Sequence, residues 1–232
     1  MQATTPYGTV HAGPNPGIVA VICTLLFLLG LYFVISFDPS SPHYPNPVDP
    51  SDVIAAYFQN HPSSVLLCAF FQFCAAVPLG IYTATMVSRL QFLGVRGAGI
   101  SIGLFGGLMA AFDIATAALI LWVIAYPGIA QDAGVLRALY YLTFAIGGVG
   151  LSVPLGLLIA GITVPSAFAK LLPKWLVIFG LVLAVIGELS ALSLVFPSLV
   201  PLIPLTRFPG FIWLIAAGFM LPKQRLERSE EL

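Results

Sequence analysis

The feature that most constrains this chain is a series of apolar segments, each long enough to cross a lipid bilayer as a helix. A spanning helix needs about 20 predominantly apolar residues. Five segments meet this length, and a sixth, less regular one ends at Leu221: Gly17–Phe37, Ser63–Val87, Ala98–Tyr126, Leu136–Val164 and Lys174–Phe196. Only 8% of the 232 residues are charged, whereas a soluble domain has about 25%. The sequence therefore predicts an all-α, polytopic membrane protein with a six-transmembrane-helix bundle.

The polar stretches divide the chain into one transmembrane domain and two terminal tails. We expect a cytoplasmic tail over residues 1–16, a transmembrane domain over 17–222 with an outer loop at 38–62, and a second cytoplasmic tail over 223–232. The N-terminus lacks the basic region and the cleavage site of a secretory signal, so the first apolar segment is predicted to be retained. Nine basic residues balance nine acidic ones, which favours the lipid bilayer as partner and argues against nucleic acid.

The basic residues predict an orientation with both ends of the chain in the cytoplasm. Cytoplasmic loops of membrane proteins carry an excess of Lys and Arg. With the N-terminus inside, the outer side holds only Arg137 and Arg207. The cytoplasmic side then holds seven basic residues: Arg89, Arg96, Lys170, Lys174, Lys223, Arg225 and Arg228. This distribution favours six spans in a bacterial inner (plasma) membrane, with N-in and C-in topology.

The sixth span is less regular than the others. The stretch from Phe208 to Leu221 contains only 14 residues, or about 21 Å of helix. Four prolines precede or begin this stretch: Pro197, Pro201, Pro204 and Pro209. Two alternatives are open, namely a helix that starts early and is kinked, or an irregular segment buried against protein.

Small residues recur every four positions in three predicted helices, a spacing that lets membrane helices pack closely. The stripes are Ala76/Gly80/Ala84/Ser88, Gly99/Gly103/Gly107/Ala111 and Ser152/Gly156/Ala160. The tetrapeptide VPLG at Val77–Gly80 returns at Val153–Gly156, an offset of 76 residues. This offset predicts a parallel repeat of helices two–three and four–five, with chance similarity in a Val/Leu/Gly-rich chain as the alternative.

Two carboxylates lie in the middle of apolar segments, where an ionisable group is costly and usually functional. Asp113 has Gly106, Ala110 and Ala117 as helical neighbours, and Glu188 lies near alanines. Small neighbours predict that both acids face the interior of the bundle. The pair is interpreted either as a proton or substrate path, or as hydrogen-bonding groups that hold helices together.

Three further polar side chains are candidates for the same network. Arg207 is the basic residue placed to reach Glu188 from the outer side, as a gate or counter-ion. Gln72 and Thr116 are predicted either to join the acids or to satisfy helix backbone. The candidate binding or proton-path residues are therefore Asp113, Glu188, Arg207 and Gln72.

Nothing in the sequence predicts a metal site, a cofactor or a catalytic group. The cysteines, Cys23, Cys68 and Cys74, lie in apolar segments without ligand spacing, and are interpreted as small buried residues. None of the three histidines, His11, His43 and His61, lies at mid-membrane, which argues against haem or a di-iron centre. Nucleophile motifs and phosphate loops are absent, so we expect a protein that is not an enzyme.

The chain resembles a family of small six-span bacterial integral membrane proteins of unknown function. Three runs carry the resemblance: AAVPLGIYTATMVSRLQFLGVRGAG, LLIAGITVPSAFAKLLPKW and RFPGFIWLIAAGFMLP. It covers most of the chain from Asp52 to Pro222 and implies a single-domain bundle in a bacterial inner membrane. It implies no substrate, cofactor or catalytic residue.

Three functional hypotheses follow. The first is a small proton-linked transporter or permease, which at this chain length requires a small solute or a homo-oligomer. The second is a non-catalytic accessory or assembly subunit of a membrane complex, for which close helix packing is sufficient. The third, a membrane-embedded lipid enzyme, is the weakest because the chain lacks a nucleophile with its base.

Overall fold

The described part of the chain is helical throughout, apart from connecting segments and one isolated bridge between Val10 and Gln224. This computed structural model describes residues 10–35, 44–47 and 49–224. His43, Arg225 and Arg228 lie outside the described residues, as do much of the predicted outer loop and most of both tails. The all-α prediction is confirmed at this level.

Eight α-helices follow one another along the chain. They are α1 (Pro16–Tyr32), α2 (Ser51–Asn60), α3 (Pro62–Phe92), α4 (Ala98–Ile124), α5 (Ala133–Ala145), α6 (Leu151–Phe168), α7 (Lys174–Leu189) and α8 (Leu202–Met220). A π-helical segment, Ile146–Gly150, joins α5 to α6 without a break. Short 3₁₀ turns occupy Ile129–Gln131, Ser190–Leu194 and Pro197–Leu199.

Five of these helical stretches are long and apolar enough to cross a membrane: Pro62–Phe92, Ala98–Ile124, Ala133–Phe168, Lys174–Leu194 and Pro197–Met220. Helix α1 is equally apolar in character but has only 17 residues. The helix boundaries differ from the predicted ones by a few residues, since fraying and capping are set locally. The chain is therefore an integral membrane protein with a helical bundle.

Local sequence explains where several helices begin and end. Asn15 caps α1 by accepting a hydrogen bond from the Gly17 N–H, and Pro16 takes the first helical position, where its missing N–H costs nothing. Asp132 caps α5 through the N–H groups of Gly134 and Val135. The break between α3 and α4 needs Gly97, whose φ of 138° is unfavourable for other residues.

The uncertainty about the last span is resolved in favour of an early helix start. Helix α8 begins at Leu202 and contains both Pro204 and Pro209. Pro204 lies in the first turn, where its missing donor would be unpaired anyway, while Pro209 lies in the helix interior. The 3₁₀ turn at Pro197–Leu199 precedes it, so the outer segment is helical rather than irregular.

The long helices form a closed ring. Each packs on the next in the order α1, α3, α4, α6, α7, α8 and back to α1. Glycine permits the closest approach, between α4 and α6, where a Cβ at Gly161 would overlap the backbone of Gly103. The end of the ring that carries α2 is called the α2 end here. The opposite end, where residues 10–15 meet residues 221–224, is called the terminal end.

The three predicted small-residue stripes do not have the same role. Gly103 and Gly156 lie at close helix contacts, against Gly161 and Gly187 respectively. On α3, however, nothing approaches within 4 Å of a Cβ at Gly80, and Ala84 is exposed. The expected packing role is thus wrong for that part of the α3 stripe, because α3 turns a different face to α4. The parallel repeat stays a prediction.

Helix α2, within the predicted outer loop, closes the α2 end with a second apolar core. Ile54, Tyr57 and Phe58 are buried there against α3, α4 and α5. The sequence predicted an outer loop over residues 38–62, a stretch with six prolines and three aspartates, and the structure places this helix within it. The helix positions the cavity described next, because it covers one end of the ring.

Candidate functional site

A cavity of about 340 Å³ lies toward the α2 end of the ring. Its walls come from α1, α3, α4, α5, the π-helical segment and α8, with the connection before α2 at one side. The lining residues are Leu31, Val34, Ile35, Tyr44, Asn46, Cys68, Gln72, Ala117, Leu121, Tyr140, Thr143, Phe144, Gly147, Gly148, Val200, Ile203, Pro204, Arg207 and Phe208. Most are apolar, which is typical of small-molecule sites with a few polar groups that orient the ligand.

Arg207 is the one charged residue in the described lining of this cavity. It lies in the second turn of α8, and its guanidinium Nη2 donates a hydrogen bond to the carbonyl oxygen of Gly147. The guanidinium also lies 5.6 Å from the centroid of the Phe27 ring, in cation–π geometry. Its Nε is buried and has no hydrogen-bond partner among the described residues. The guanidinium is therefore held by the Gly147 carbonyl and the Phe27 ring, while its Nε–H group has no acceptor among the described residues.

The π-helical segment that meets Arg207 has a local cause in the sequence. Pro154 has no N–H to offer the carbonyl of Gly150, and its ring crowds that turn. The preceding residues, IGGVG, contain three glycines and adopt the wider π turn over Ile146–Gly150. A π turn leaves carbonyl groups displaced from the regular α-helical pattern. Arg207 supplies the donor for one of them, at Gly147.

Two neutral polar side chains share the cavity with Arg207. The Gln72 amide nitrogen donates only to the Cys68 sulfur at 3.4 Å in the described structure, one turn back on α3; sulfur is a weak acceptor. The Thr143 hydroxyl is buried without a partner among the described residues. Of the four predicted site residues, the structure thus brings Arg207 and Gln72 to one cavity.

Asp113 lies beside the cavity rather than in it. It is half-buried on α4, and its carboxyl carbon lies 3.6 Å from the position that a Cβ at Gly150 would take. Gly150 and Gly147 belong to the same π-helical segment. Asp113 and Arg207 therefore contact this segment at positions three residues apart. Thr116, a further candidate, donates to the Phe112 carbonyl of its own helix.

Glu188 does not face the interior, so the expectation that both acids point inward is wrong for it. The residue is exposed on α7, between the exposed Val185 and Leu189. The buried face of α7 instead presents Ala184 and Gly187 to α6. Glu188 follows Gly187 by one residue, a rotation of about 100° around the helix, which turns its side chain away. Arg207, on the cavity wall, is not its counter-ion in the described structure.

Aromatic side chains close the cavity at the α2 end. The Tyr140 hydroxyl donates to the Pro45 carbonyl at 2.5 Å, and Tyr57 donates to the Val34 carbonyl at 3.2 Å. Tyr44 packs edge-on against Tyr57, with ring centroids 5.7 Å apart. Burial raises the pKa of Tyr57 to about 12 and that of Tyr44 well above its usual range. Both phenols therefore stay neutral at physiological pH.

Sequence reasoning missed Gly147, Thr143 and Tyr140 as site residues. The glycine run before VPLG was the available signal for an irregular helix, because closely spaced glycines ahead of a proline weaken α-helical order. Thr143 and Tyr140 gave no signal, since polar residues at one end of a predicted span are common at membrane interfaces. Their role depends on contacts with residues distant in the chain.

Within the described ranges, no group of three or more His, Cys, Asp or Glu side chains is placed to hold a metal ion. Cys23 donates to the Ala75 carbonyl and Cys68 accepts from Gln72, so both thiols take part in packing contacts. The cavity's polar groups are suited to hydrogen bonding and charge pairing. In comparisons with known proteins, this chain matches no protein-family model, no curated protein and no solved structure.

Proposed function

We propose that this membrane protein is a small proton-linked transporter that binds its solute in the cavity at the α2 end. Arg207 carries this conclusion, because it places a cation on the wall of a cavity inside an apolar bundle. An ionisable group within a membrane is costly, and proteins usually retain one for binding or transport. The cavity volume of about 340 Å³ lies within the range of small-molecule sites. The chain acts here as a carrier and not as an enzyme.

Asp113 is the group proposed to carry the proton. Its carboxyl borders Gly150, while Arg207 binds Gly147 in the same π-helical segment. Protonation of Asp113 changes the charge next to a segment whose hydrogen-bond pattern is already irregular, and π turns occur frequently at functional positions. A proton on α4 and a solute near α8 then influence one another through residues 147–150. Gln72 is proposed as an orienting donor to the solute.

The proposed topology has six spans, with both ends of the chain in the cytoplasm of a bacterial cell. The His11 N–H donates to the Lys223 carbonyl at 3.0 Å, so the two ends meet at one end of the bundle. Five crossings would separate them, whereas α1 as a sixth crossing gives an even number. Arg96, Lys170 and Lys174 flank helices at this terminal end, in keeping with the positive-inside rule. The resemblance to small six-span bacterial proteins supports the inner membrane.

Transport by purified protein in liposomes that contain a pH-sensitive dye tests this function. Addition of a solute panel (amino acids, carboxylates and sugars) should produce solute-dependent acidification of the lumen for at least one class. Asp113→Asn should abolish the proton movement but retain solute binding. Arg137→Gln, which alters an exposed arginine outside the cavity, should behave as the parent does. Parent vesicles indistinguishable from empty liposomes across the panel would refute the proposal.

The position of Glu188 favours the second candidate function, an accessory subunit of a membrane complex or a homo-oligomer. An exposed carboxylate about 21 Å along α7 from Lys174 lies at membrane depth, where contact with hydrocarbon is unfavourable. A partner helix with a hydrogen-bonding or basic group would cover it. Native mass spectrometry of protein extracted gently from its own membrane tests this. A stoichiometric protein partner lost in Glu188→Leu supports a complex, while a monomer in both forms excludes it.

A further inference from the structure

We propose that the solute bound in the cavity is a small organic anion, a carboxylate with a compact apolar body, which enters from the α2 end. The inference deepens the proposed transport function and rests on it for the meaning of the binding site. The polar groups, the dimensions and the position of the cavity support it.

The positive charge in the cavity lining favours an anionic ligand. Arg207 is cationic, and the described lining contains no acidic residue to neutralise it. Asp113 borders Gly150 outside the lining, and Glu188 is exposed on α7. A buried charge without a counter-charge is unfavourable, and a bound carboxylate would relieve that cost. Arginine is the residue best suited to such a partner, because its planar donors match the two carboxylate oxygens.

Donors without a good acceptor lie around the cavity, on α8, α5 and α3. The Nε of Arg207 and the hydroxyl of Thr143 are both buried, and neither has a hydrogen-bond partner among the described residues. The Gln72 amide reaches only the Cys68 sulfur, a poor acceptor. Buried polar atoms are normally paired, so each unpaired one needs an explanation. Arg207, Thr143 and Gln72 all line the cavity, so an anion bound there would bring acceptor oxygens close to donors that the described structure leaves unpaired or weakly paired.

The apolar walls of the cavity limit the size and the polarity of the rest of the ligand. Leu121, Phe144 and Ile203 are apolar and face the same space of about 340 Å³. This volume lies near the lower limit for small-molecule sites. A short alkyl chain or a single aromatic ring therefore fits and a long acyl chain does not, while the apolar walls would leave the hydroxyl groups of a sugar without hydrogen-bond partners. Free carboxylic acids from water and fatty acids from the bilayer share the same head group, and the size of the cavity favours the former.

The position of the cavity indicates the direction of entry. Tyr44 and Asn46, in the described part of the connection before α2, line the cavity, while packed helices of the main core lie on the opposite side. Under the proposed topology the α2 end faces outward. The solute therefore arrives from outside the cell.

Thermal unfolding of the purified protein, with matched ligands, tests the substrate class. The probes are benzoate, benzamide and benzylamine, which share a ring but differ in charge, together with butyrate, hexanoate and oleate. Benzoate or a short carboxylate should raise the Tm, whereas the amide and the amine should not. If oleate alone raises the Tm, the ligand is a fatty acid from the bilayer. The assignment of a ligand with a compact apolar body is then wrong. Stabilisation by benzylamine or benzamide, or by none of the carboxylates, overturns the inference.

Variants separate binding in the cavity from general effects. Arg207→Gln should weaken carboxylate binding about tenfold or more, since it removes a charge-assisted hydrogen bond, and Arg137→Gln should leave it unchanged. Leu121→Trp fills the cavity without altering Arg207 and should also abolish binding, which covers the case in which Arg207→Gln does not fold. Carboxylate binding that persists in folded Leu121→Trp contradicts the site.

A flux measurement distinguishes failure of this inference from failure of the proposed function. Liposomes with the protein that accumulate labelled benzoate in response to a proton gradient faster than protein-free liposomes do, where benzoic acid crosses the bilayer unaided, support both. Binding without flux retains the anion site and rejects transport. Flux of a sugar or an amine retains transport and rejects the anion as substrate.

Discussion

Arg207 on α8 donates a hydrogen bond to the carbonyl of Gly147, at the point where the helix formed by α5 and α6 changes to a π turn. The contact joins the one charged group of the described cavity lining to the π turn inside the long helical stretch Ala133–Phe168. Arg207 has two effects at once: it satisfies a displaced carbonyl, and it leaves a cation without an acidic partner in the described lining. The first effect stabilises the fold and the second opposes it.

The two effects predict that Arg207→Met is tolerated by the fold. Loss of the donor removes the charge-assisted hydrogen bond to the Gly147 carbonyl, which is typically worth about 1.5–3 kcal/mol. Removal of an arginine from the membrane interior offsets this by about 2.5–3.5 kcal/mol on insertion scales. Arg207→Met should therefore destabilise the protein by no more than about 1 kcal/mol, to be measured as reversible unfolding in mixed micelles. A loss of stability well above that range would assign Arg207 a purely structural role.

The contact between α4 and α6 predicts a sharp difference between two glycines. A Cβ at Gly161 would overlap Gly103 and would lie 2.7 Å from the Gly99 carbonyl oxygen, so Gly161→Ala must separate the helices and should cost about 1–3 kcal/mol. Gly80→Ala is the matched control, because nothing lies within 4 Å of its Cβ position. It should be neutral or should stabilise the protein by up to about 1 kcal/mol, since alanine has the higher helix propensity. Equal effects of the two substitutions would contradict the observed helix contact.

The hydrogen bond between Tyr140 and Pro45 predicts how easily the cavity opens. Tyr140→Phe removes the 2.5 Å bond, which is typically worth about 1 kcal/mol. Opening should become about fivefold more frequent, by the usual relation between free energy and population. Cys68 lines the cavity, so its labelling rate with a membrane-impermeant thiol reagent reports the opening, in a chain without Cys23 and Cys74. Tyr126→Phe, at an exposed tyrosine, should leave the labelling rate unchanged.

The contact between the two chain ends should weaken in acid. Burial, with the nearby Arg89 guanidinium, lowers the pKa of His11 from its usual 6.5, and its ring is hydrogen-bonded to Ser88. A histidine with a lowered pKa stabilises the folded state fully above its unfolded value, and this contribution is lost as pH falls through the folded value. Spin labels at Ala12 and Gln224 should therefore move apart below pH 6.5. His11→Gln should remove this pH dependence, and a distance that is constant with pH in both forms would be evidence against it.

Sequence reasoning was most successful for long segments and least successful for the direction of single side chains. The apolar runs predict six spanning segments, and five of them appear as helices long and apolar enough to cross a membrane, because length and composition suffice for a spanning segment. The remaining one, α1, has 17 residues. The same reasoning treated Asp113 and Glu188 alike, since both have small neighbours. In the structure Asp113 is half-buried and Glu188 is exposed. The difference arises because α7 buries Ala184 and Gly187 against α6, which turns Glu188 outward.

The cavity residues illustrate the same limit. Gln72 and Arg207 are recognisable in the sequence as polar groups in apolar surroundings, but 135 positions separate them. Their meeting at one cavity depends on the closure of the ring from α8 back to α1 and α3. Gly147 gains its role only when Arg207 reaches its carbonyl. No periodic pattern within one helix carries that information.

Composition and hydropathy were sufficient for the class of this protein, because a bilayer requires every spanning backbone group to be satisfied within its own helix, and apolar length alone reveals such helices. The order of the ring, the π turn that Arg207 contacts, the cover formed by α2 and the outward position of Glu188 came from packing. Neighbouring helices in lipid are selected by close steric fit and a few polar contacts. The steric fit and the polar contacts depend on which residues from distant parts of the chain touch. A linear sequence does not state which residues these are.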